Sequence, residues 1–150
     1  MGGEPIYKMF TASGIIHYDD NDGHRIILQV SQDLADYYRS LIPKYERVVK
    51  PRWLAHITVV RPEIDIPPKI RYWGNYEGER VEFLYDPYPL NGNGYFWLNV
   101  WSKRLETVRA ELGLVNTSKY ALRPTGYDKT FHITIGKYYE VFPVGEAPEK

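Results

Sequence analysis

Two copies of one tripeptide carry the residues best suited to chemistry, His56-Ile57-Thr58 and His132-Ile133-Thr134. The chain has only four histidines, so the use of two of them in the same tripeptide is a specific signal. Near neutral pH a neutral imidazole accepts a proton and a protonated one donates it. A threonine hydroxyl donates hydrogen bonds to oxygens on which negative charge develops. The tripeptides therefore predict acid–base cleavage of a phosphodiester.

In this prediction His56 and His132 are the acid and the base, in either order, and Thr58 and Thr134 bind the phosphate. Side chains two apart on a strand share a face, so each histidine lies beside its own threonine. No metal is needed. A zinc site is the chemical alternative, but it needs a third histidine, a cysteine or a carboxylate at ligand spacing, and none lies beside either tripeptide. Two core histidines that bond to neighbouring threonines are the structural alternative.

The elements that position the tripeptides occur in two similar copies. In the first copy, an apolar strand over 25–30 is followed by a helix with Ser31 as its N-cap and Pro43 as its limit, and then by a strand over 53–60. In the second copy, a strand over 95–101 is followed by a helix from Ser102 to Gly113 and by a strand over 130–137. Extra strands over 6–13 and 80–85 precede the two copies.

The duplication predicts a single bilobal domain over residues 1–150 with a cleft between its lobes. Lobe one covers about 6–61, a proline-containing connector about 62–78, lobe two about 79–142, and a polar tail 143–150.

The composition narrows the possible partners. Nineteen basic and nineteen acidic residues give a net charge of zero, which argues against a binder of long duplex nucleic acid. The absence of cysteine excludes disulfides, thiolate nucleophiles and cysteine-zinc sites. No apolar run is long enough to predict a membrane span. Aromatic residues make up 15% of the chain, which fits a β-rich fold or stacking platforms for bases.

Residues 53–61 and 131–136, which contain the two tripeptides, resemble the motif segments of the 2H phosphoesterase superfamily, which includes LigT-like RNA ligases and cyclic phosphodiesterases. The resemblance covers about residues 6–140. Around 76–78 and 111–114 the chain is similar to phage-encoded "Swiss army knife RNA repair-like" members, some of which degrade cyclic oligonucleotides of bacterial antiviral signalling. The resemblance implies an α+β bilobal 2H phosphoesterase fold, in which two pseudo-twofold-related β-α-β lobes with antiparallel sheets form a central cleft.

The expected function is a metal-independent and cofactor-free phosphodiesterase. Its expected substrate is a cyclic oligonucleotide or a short RNA, and we expect a monomer in the cytoplasm, that of the host if the chain is phage-encoded. Two alternatives remain open: RNA end processing on 2′,3′-cyclic phosphates or 2′–5′ linkages, and a non-catalytic sponge that only binds nucleotides. Further substrate-binding candidates are Tyr138, which shares strand parity with the second motif, Arg61, which would hold a phosphate if the strand ends or bulges before it, and the base-stacking candidates Trp53, Trp73 and Tyr7.

Overall fold

A computed structural model describes residues 8–117 and 123–139 of the chain. In chain order the strands and helices are β1 (Phe10–Asp19), β2 (Arg25–Gln29), α1 (Gln32–Ser40), β3 (Val48–Val49), β4 (His56–Val60), β5 (Arg80–Tyr85), β6 (Leu90–Gly92), β7 (Tyr95–Trp101), α2 (Lys103–Glu111) and β8 (Phe131–Tyr138). None of the helices in these described ranges is long and apolar enough to span a membrane.

Six strands close into an antiparallel barrel in the order β1, β2, β4, β8, β7, β5 and back to β1. The short strands β3 and β6 extend it by pairing with β8 and β7. The predicted order strand–helix–strand occurs twice, as β2–α1–β4, with the two-residue strand β3 between α1 and β4, and as β7–α2–β8. The duplicated pattern of elements is therefore confirmed.

The predicted bilobal α+β 2H fold is wrong. Two separate lobes would leave the edges of β1, β4, β5 and β8 unpaired, and unpaired edges expose backbone groups that need partners. Instead β1 pairs with β5 through residues 10–15 and 80–85, and β4 pairs with β8 at Ile57 and Ile133. These pairings merge the two copies into one mostly-β barrel, so no cleft separates two lobes.

Two strand predictions also need correction. The strand expected over 6–13 corresponds to β1, which begins at Phe10 in the described residues and continues to Asp19 because residues 15–19 form a hairpin with β2. The strand expected from Trp53 begins only at His56, because Trp53 and Leu54 are 69% and 63% exposed loop residues despite their apolar character. The tail from 143 lies outside the described residues.

The helices follow the predicted signals closely. Ser102 caps α2, since its hydroxyl accepts a hydrogen bond from the backbone N–H of Leu105. Ser31 occupies the N-cap position of α1 but makes no side-chain cap bond. Beyond α2, Gly113 has φ +82° and lies so close to Pro68 that a Cβ there would stand 2.6 Å from the proline ring. This glycine lets the segment after β4 pack against the end of α2.

Candidate active site

The four motif side chains come together across the pairing of β4 with β8. Ile57 is the register partner of Ile133 in this antiparallel pair. His56 therefore stands opposite Thr134, and Thr58 stands opposite His132. Side chains directly opposite one another have Cβ atoms about 4.5–5.5 Å apart, and diagonal neighbours about 7–8 Å. The four side chains therefore lie in one patch on the same face of the β4–β8 pair.

Burial of the central isoleucines fixes which way the motifs face. Ile57 and Ile133 are both 0% exposed and belong to the core, whereas the histidines and threonines of the motifs are partly exposed. Burying an isoleucine side chain stabilises a fold by about 1.5–3 kcal/mol. Because a slip of one residue would exchange the two faces, this burial holds the polar groups on the outer face. The prediction that they share a face is confirmed.

The backbone carbonyl of Leu54 orients the ring of His56. The Nδ1–H of His56 donates a hydrogen bond of 2.7 Å to this oxygen. A carbonyl only accepts, so Nδ1 carries a proton and Nε2 is the atom left for a substrate.

His132 lies in a less polar and more positive environment. Its ring contacts the indole of Trp97, with the two centroids 6.5 Å apart. Burial, together with the positive charge of Arg61, of His56 and of Lys129, lowers the pKa of His132 to about 4. At neutral pH this imidazole is therefore uncharged and able to accept a proton.

Each motif histidine has a carboxamide as its cross-strand neighbour, which sequence reasoning missed. Gln29 on β2 pairs with His56, and Asn99 on β7 pairs with His132. Asn99 is 8% exposed, and its Oδ1 accepts a 3.1 Å hydrogen bond from Nε1 of Trp97. The signal was present in the equivalent tripeptides 28–30 and 98–100, which contain these two carboxamides at their centres.

An open groove of about 810 Å³ begins at Thr58 and His132. The segment after β4 forms one wall and the segment after α2 forms the other. The described residues that line the groove are Thr58, Val59, Arg61, Ile64, Asp65, Ile66, Pro68, Arg109, Gly113, Leu114, Val115, Thr117, Lys129 and His132. Lys129, which sequence reasoning also missed, gives the groove a second cation beside Arg61.

A β-bulge places Arg61 in this groove. Thr58 pairs with Ile27 and Val60 with Ile26, so Val59 is an extra residue on β4. The extra residue shifts the alternation, and Arg61 returns to the face of Thr58. The condition stated from the sequence, a bulge or strand end before Arg61, is met.

A second bulge, on β8, turns the side chain of Tyr138 to the face opposite His132. The prediction that Tyr138 shares a face with His132 is therefore wrong. Phe96 pairs with Gly136 and Trp97 with Thr134, which leaves Ile135 as the extra residue. The ring of Tyr138 packs against Phe96 with a centroid distance of 5.0 Å, and its hydroxyl donates to Glu46 over 3.3 Å.

The three base-stacking candidates lie elsewhere or outside the described residues. Trp53 is exposed in the loop before β4, where Arg52 lies 5.4 Å from its ring centroid. Trp73 contacts Tyr18 and His24, with centroids 5.0 and 4.8 Å apart. Among the described residues that line the groove, neither tryptophan is found. Tyr7 lies outside the described residues.

Two buried charges on α2 hold the walls of the groove in place. Arg109 is 5% exposed, and its guanidinium donates to the carbonyls of Val59 and Val115, to both carboxylate oxygens of Asp65 and to Oδ1 of Asn116. Although burial opposes ionisation, hydrogen bonds from Arg109 and from the Arg61 backbone hold the pKa of Asp65 below its usual value. All five N–H donors of the guanidinium are therefore used.

Glu106 performs the same task for the segment before β8. Its Oε2 accepts from the backbone N–H groups of Asp128 and Lys129, at 2.9 and 3.1 Å. Its Oε1 lies 3.4 Å from the ammonium of Lys103. Glu106 and Arg109 thus connect one helix to three loop segments around the groove.

Within the described ranges, no group of three or more His, Cys, Asp or Glu side chains is arranged to hold a metal ion. In comparisons with family models, with curated proteins and with solved structures, nothing matches this chain.

Proposed function

We propose that this chain is a metal-independent phosphodiesterase that cleaves cyclic oligonucleotide or RNA-type phosphodiesters. One observation carries the proposal: two imidazoles and two hydroxyls face the same side of the β4–β8 pair, opposite a fully buried isoleucine pair. The proposal keeps the chemistry that the resemblance to 2H phosphoesterases implies, and it does not require their bilobal fold.

In the proposed reaction His132 is the general base and His56 the general acid. Neutral His132 takes the proton from the attacking oxygen, which is a 2′-hydroxyl of the substrate or a water molecule. As that oxygen bonds to phosphorus, the bond to the leaving oxygen breaks with its electron pair, and Nε2–H of protonated His56 supplies the proton. The hydroxyls of Thr58 and Thr134 donate to the non-bridging oxygens, where charge builds in the transition state.

Among possible substrates we place cyclic oligonucleotides ahead of RNA ends. The chain has no net charge with which to track a long polyanion. The groove of about 810 Å³ is suited to a compact ligand of a few nucleotides. A single chain contributes all four motif side chains, so the proposal needs only a monomer. We further propose that it acts in the cytoplasm, where such nucleotides occur.

The test is product analysis of the purified protein with cyclic di- and trinucleotides and with RNA that ends in a 2′,3′-cyclic phosphate, all with excess chelator. The proposal expects linear or ring-opened products with the chelator present. Intact ligand bound in stoichiometric amount would contradict it and favour a nucleotide sponge. Activity that the chelator abolishes would contradict the metal-independent mechanism.

The lowered pKa of His132 predicts an unusual pH dependence. A general base must be neutral to accept a proton. The kcat/KM of the wild type should therefore rise with pH through about 4, which is the pKa of His132 in the free protein. Arg61→Gln removes a positive charge that disfavours the imidazolium, so the pKa of His132 and the acidic limb should both move to higher pH. Proton NMR titration of the His132 ring and the pH profile of kcat/KM measure these shifts.

The matched control is Arg80→Gln, because the Arg80 guanidinium bonds to Ser13 on a distant pair of strands. This control should leave the titration of His132 unchanged. A wild-type limb near the usual histidine value, about 6.5, would contradict the assignment of His132 as the base.

A further inference from the structure

The groove beside His132 has apolar walls that are open to solvent. Ile64, Ile66 and Val115 line it and are 72%, 83% and 74% exposed. Isolated exposed aliphatic residues are common, but several that face one another across a concave surface are typical of a binding site. Such walls suit a nucleoside, because the flat face of the nucleobase and the carbon atoms of the sugar can pack against aliphatic side chains.

The walls are held in position before any ligand arrives. Arg109 bonds both to Asp65 in one wall and to Val115 and Asn116 in the other, and Glu106 bonds to the backbone at Lys129. Charged side chains as buried as these occur in proteins only when they are well paired. Walls fixed in this way lower the entropic cost of binding.

Positive charge in the groove exceeds negative charge. Arg61, Lys129 and Arg109 line it with a single carboxylate, Asp65, whose two oxygens already bond to Arg109. Within the described residues, the side chains of Arg61 and Lys129 form no ion pair, and the ammonium of Lys129 lies over the ring of Phe131 at 5.4 Å from its centroid. Burial and the charge of Arg109 lower the pKa of Lys129, so this ammonium lies in a place where an anion would be favoured.

We propose that this groove is a nucleotide subsite, in which Lys129 and Arg61 bind a second phosphate next to the one held by the two motifs. The nucleoside that joins the two phosphates lies between the apolar walls. The inference rests on the proposed function for the identity of the first phosphate. It restricts the preferred substrates to nucleotides in which the reacting phosphate is followed by another, as in cyclic oligonucleotides and internal RNA linkages.

The experiment is calorimetric binding of three probes: adenosine 3′,5′-bisphosphate, adenosine 3′-monophosphate and adenosine 5′-monophosphate. The wild type should bind the bisphosphate at least about tenfold more tightly than either monophosphate, as one charge-assisted contact to phosphate allows. Lys129→Met should remove this advantage. Lys44→Met is the matched control, because it removes a lysine from a separate cavity beside α1 and should retain the full advantage.

Arg61→Gln is a second, independent test of the subsite. Arg61 is exposed, so its replacement does not disturb the core. It should also reduce the preference for the bisphosphate. Equal affinity for the three probes, or an advantage that survives both substitutions, would overturn the inference. Because binding needs no turnover, a protein that fails to cleave any diester but shows the Lys129-dependent preference refutes the proposed function and leaves the subsite standing.

Discussion

Replacement of His56 or His132 by alanine is expected to lower kcat at least about a thousandfold, within the range that a positioned general acid or base contributes. Each histidine has its own proton to move, so neither can substitute for the other. The double variant should be little worse than either single one, because the two groups act in one transition state. Single-turnover cleavage of whichever diester the wild type accepts measures the effect.

His24→Ala is the matched control, because His24 contacts Trp73 in a turn outside the groove and should keep its full rate. Thermal unfolding of each variant separates loss of chemistry from loss of fold. Since His56 and His132 face away from the core, both variants should melt close to the wild type. A His56 or His132 variant that is folded and still turns over at more than a tenth of the wild-type rate would contradict the acid–base assignment.

Arg109→Met is expected to produce the largest loss of stability. Removal of one partner from a buried ion pair costs about 3–5 kcal/mol, because the other charge stays buried without compensation. Here Asp65 and the carbonyls of Val59 and Val115 would all lose their donor. Urea unfolding monitored by tryptophan fluorescence gives the change in the free energy of unfolding.

Arg25→Met provides the comparison. Arg25 pairs with Glu63 over 3.6 Å at the surface, with side chains 45% and 66% exposed, and such pairs contribute about 0–1 kcal/mol. If Arg109→Met lowers the free energy of unfolding no more than Arg25→Met does, then Arg109 does not hold the walls of the groove in position.

Local signals in the sequence predicted most of the elements. The strands over 80–85 and 95–101 begin and end where alternation and turn residues placed them. Ser102 and Gly113 mark the two ends of α2 because a cap hydroxyl and a left-handed glycine act on neighbouring backbone groups. The shared face of the motifs also followed, since it depends only on the period of a strand.

The closure of the barrel depends on pairings between distant segments, which no local pattern encodes. The edges of β1 and β5 come from residues about 70 apart in the chain, and similar spacing separates β4 from β8. A duplicated strand–helix–strand order is compatible both with two lobes and with one closed sheet. The closed barrel forms because β1 pairs with β5 and β4 pairs with β8.

The two bulges explain why Arg61 joined the site and Tyr138 left it. Each bulge inserts one residue, and strict alternation therefore assigns every later side chain to the wrong face. In the sequence, each bulge corresponds to two adjacent small or apolar residues that follow a regular alternation: Val59-Val60 on β4 and Ile135-Gly136 on β8. Such a pair also occurs in regular strands, so a bulge is recognised only when the register with the partner strand is known.

The burial of Arg109 and Glu106 was not predicted from the sequence, for a different reason. Charged residues on a helix ordinarily face solvent, and the sequence alone does not reveal that loops fold over them. Their burial follows from Asp65 and the segment around residue 128, which lie far away in the chain.

The most direct measurement is a crystal structure of the protein with adenosine 3′-monophosphate, a small analogue of the 3′-phosphate end that attack by water would leave. We expect the phosphate within hydrogen-bond distance of the hydroxyls of Thr58 and Thr134, with Nε2 of His56 and a ring nitrogen of His132 each contacting a different phosphate oxygen. A phosphate bound away from the β4–β8 pair, or one that only a single imidazole contacts, would contradict the acid–base assignment.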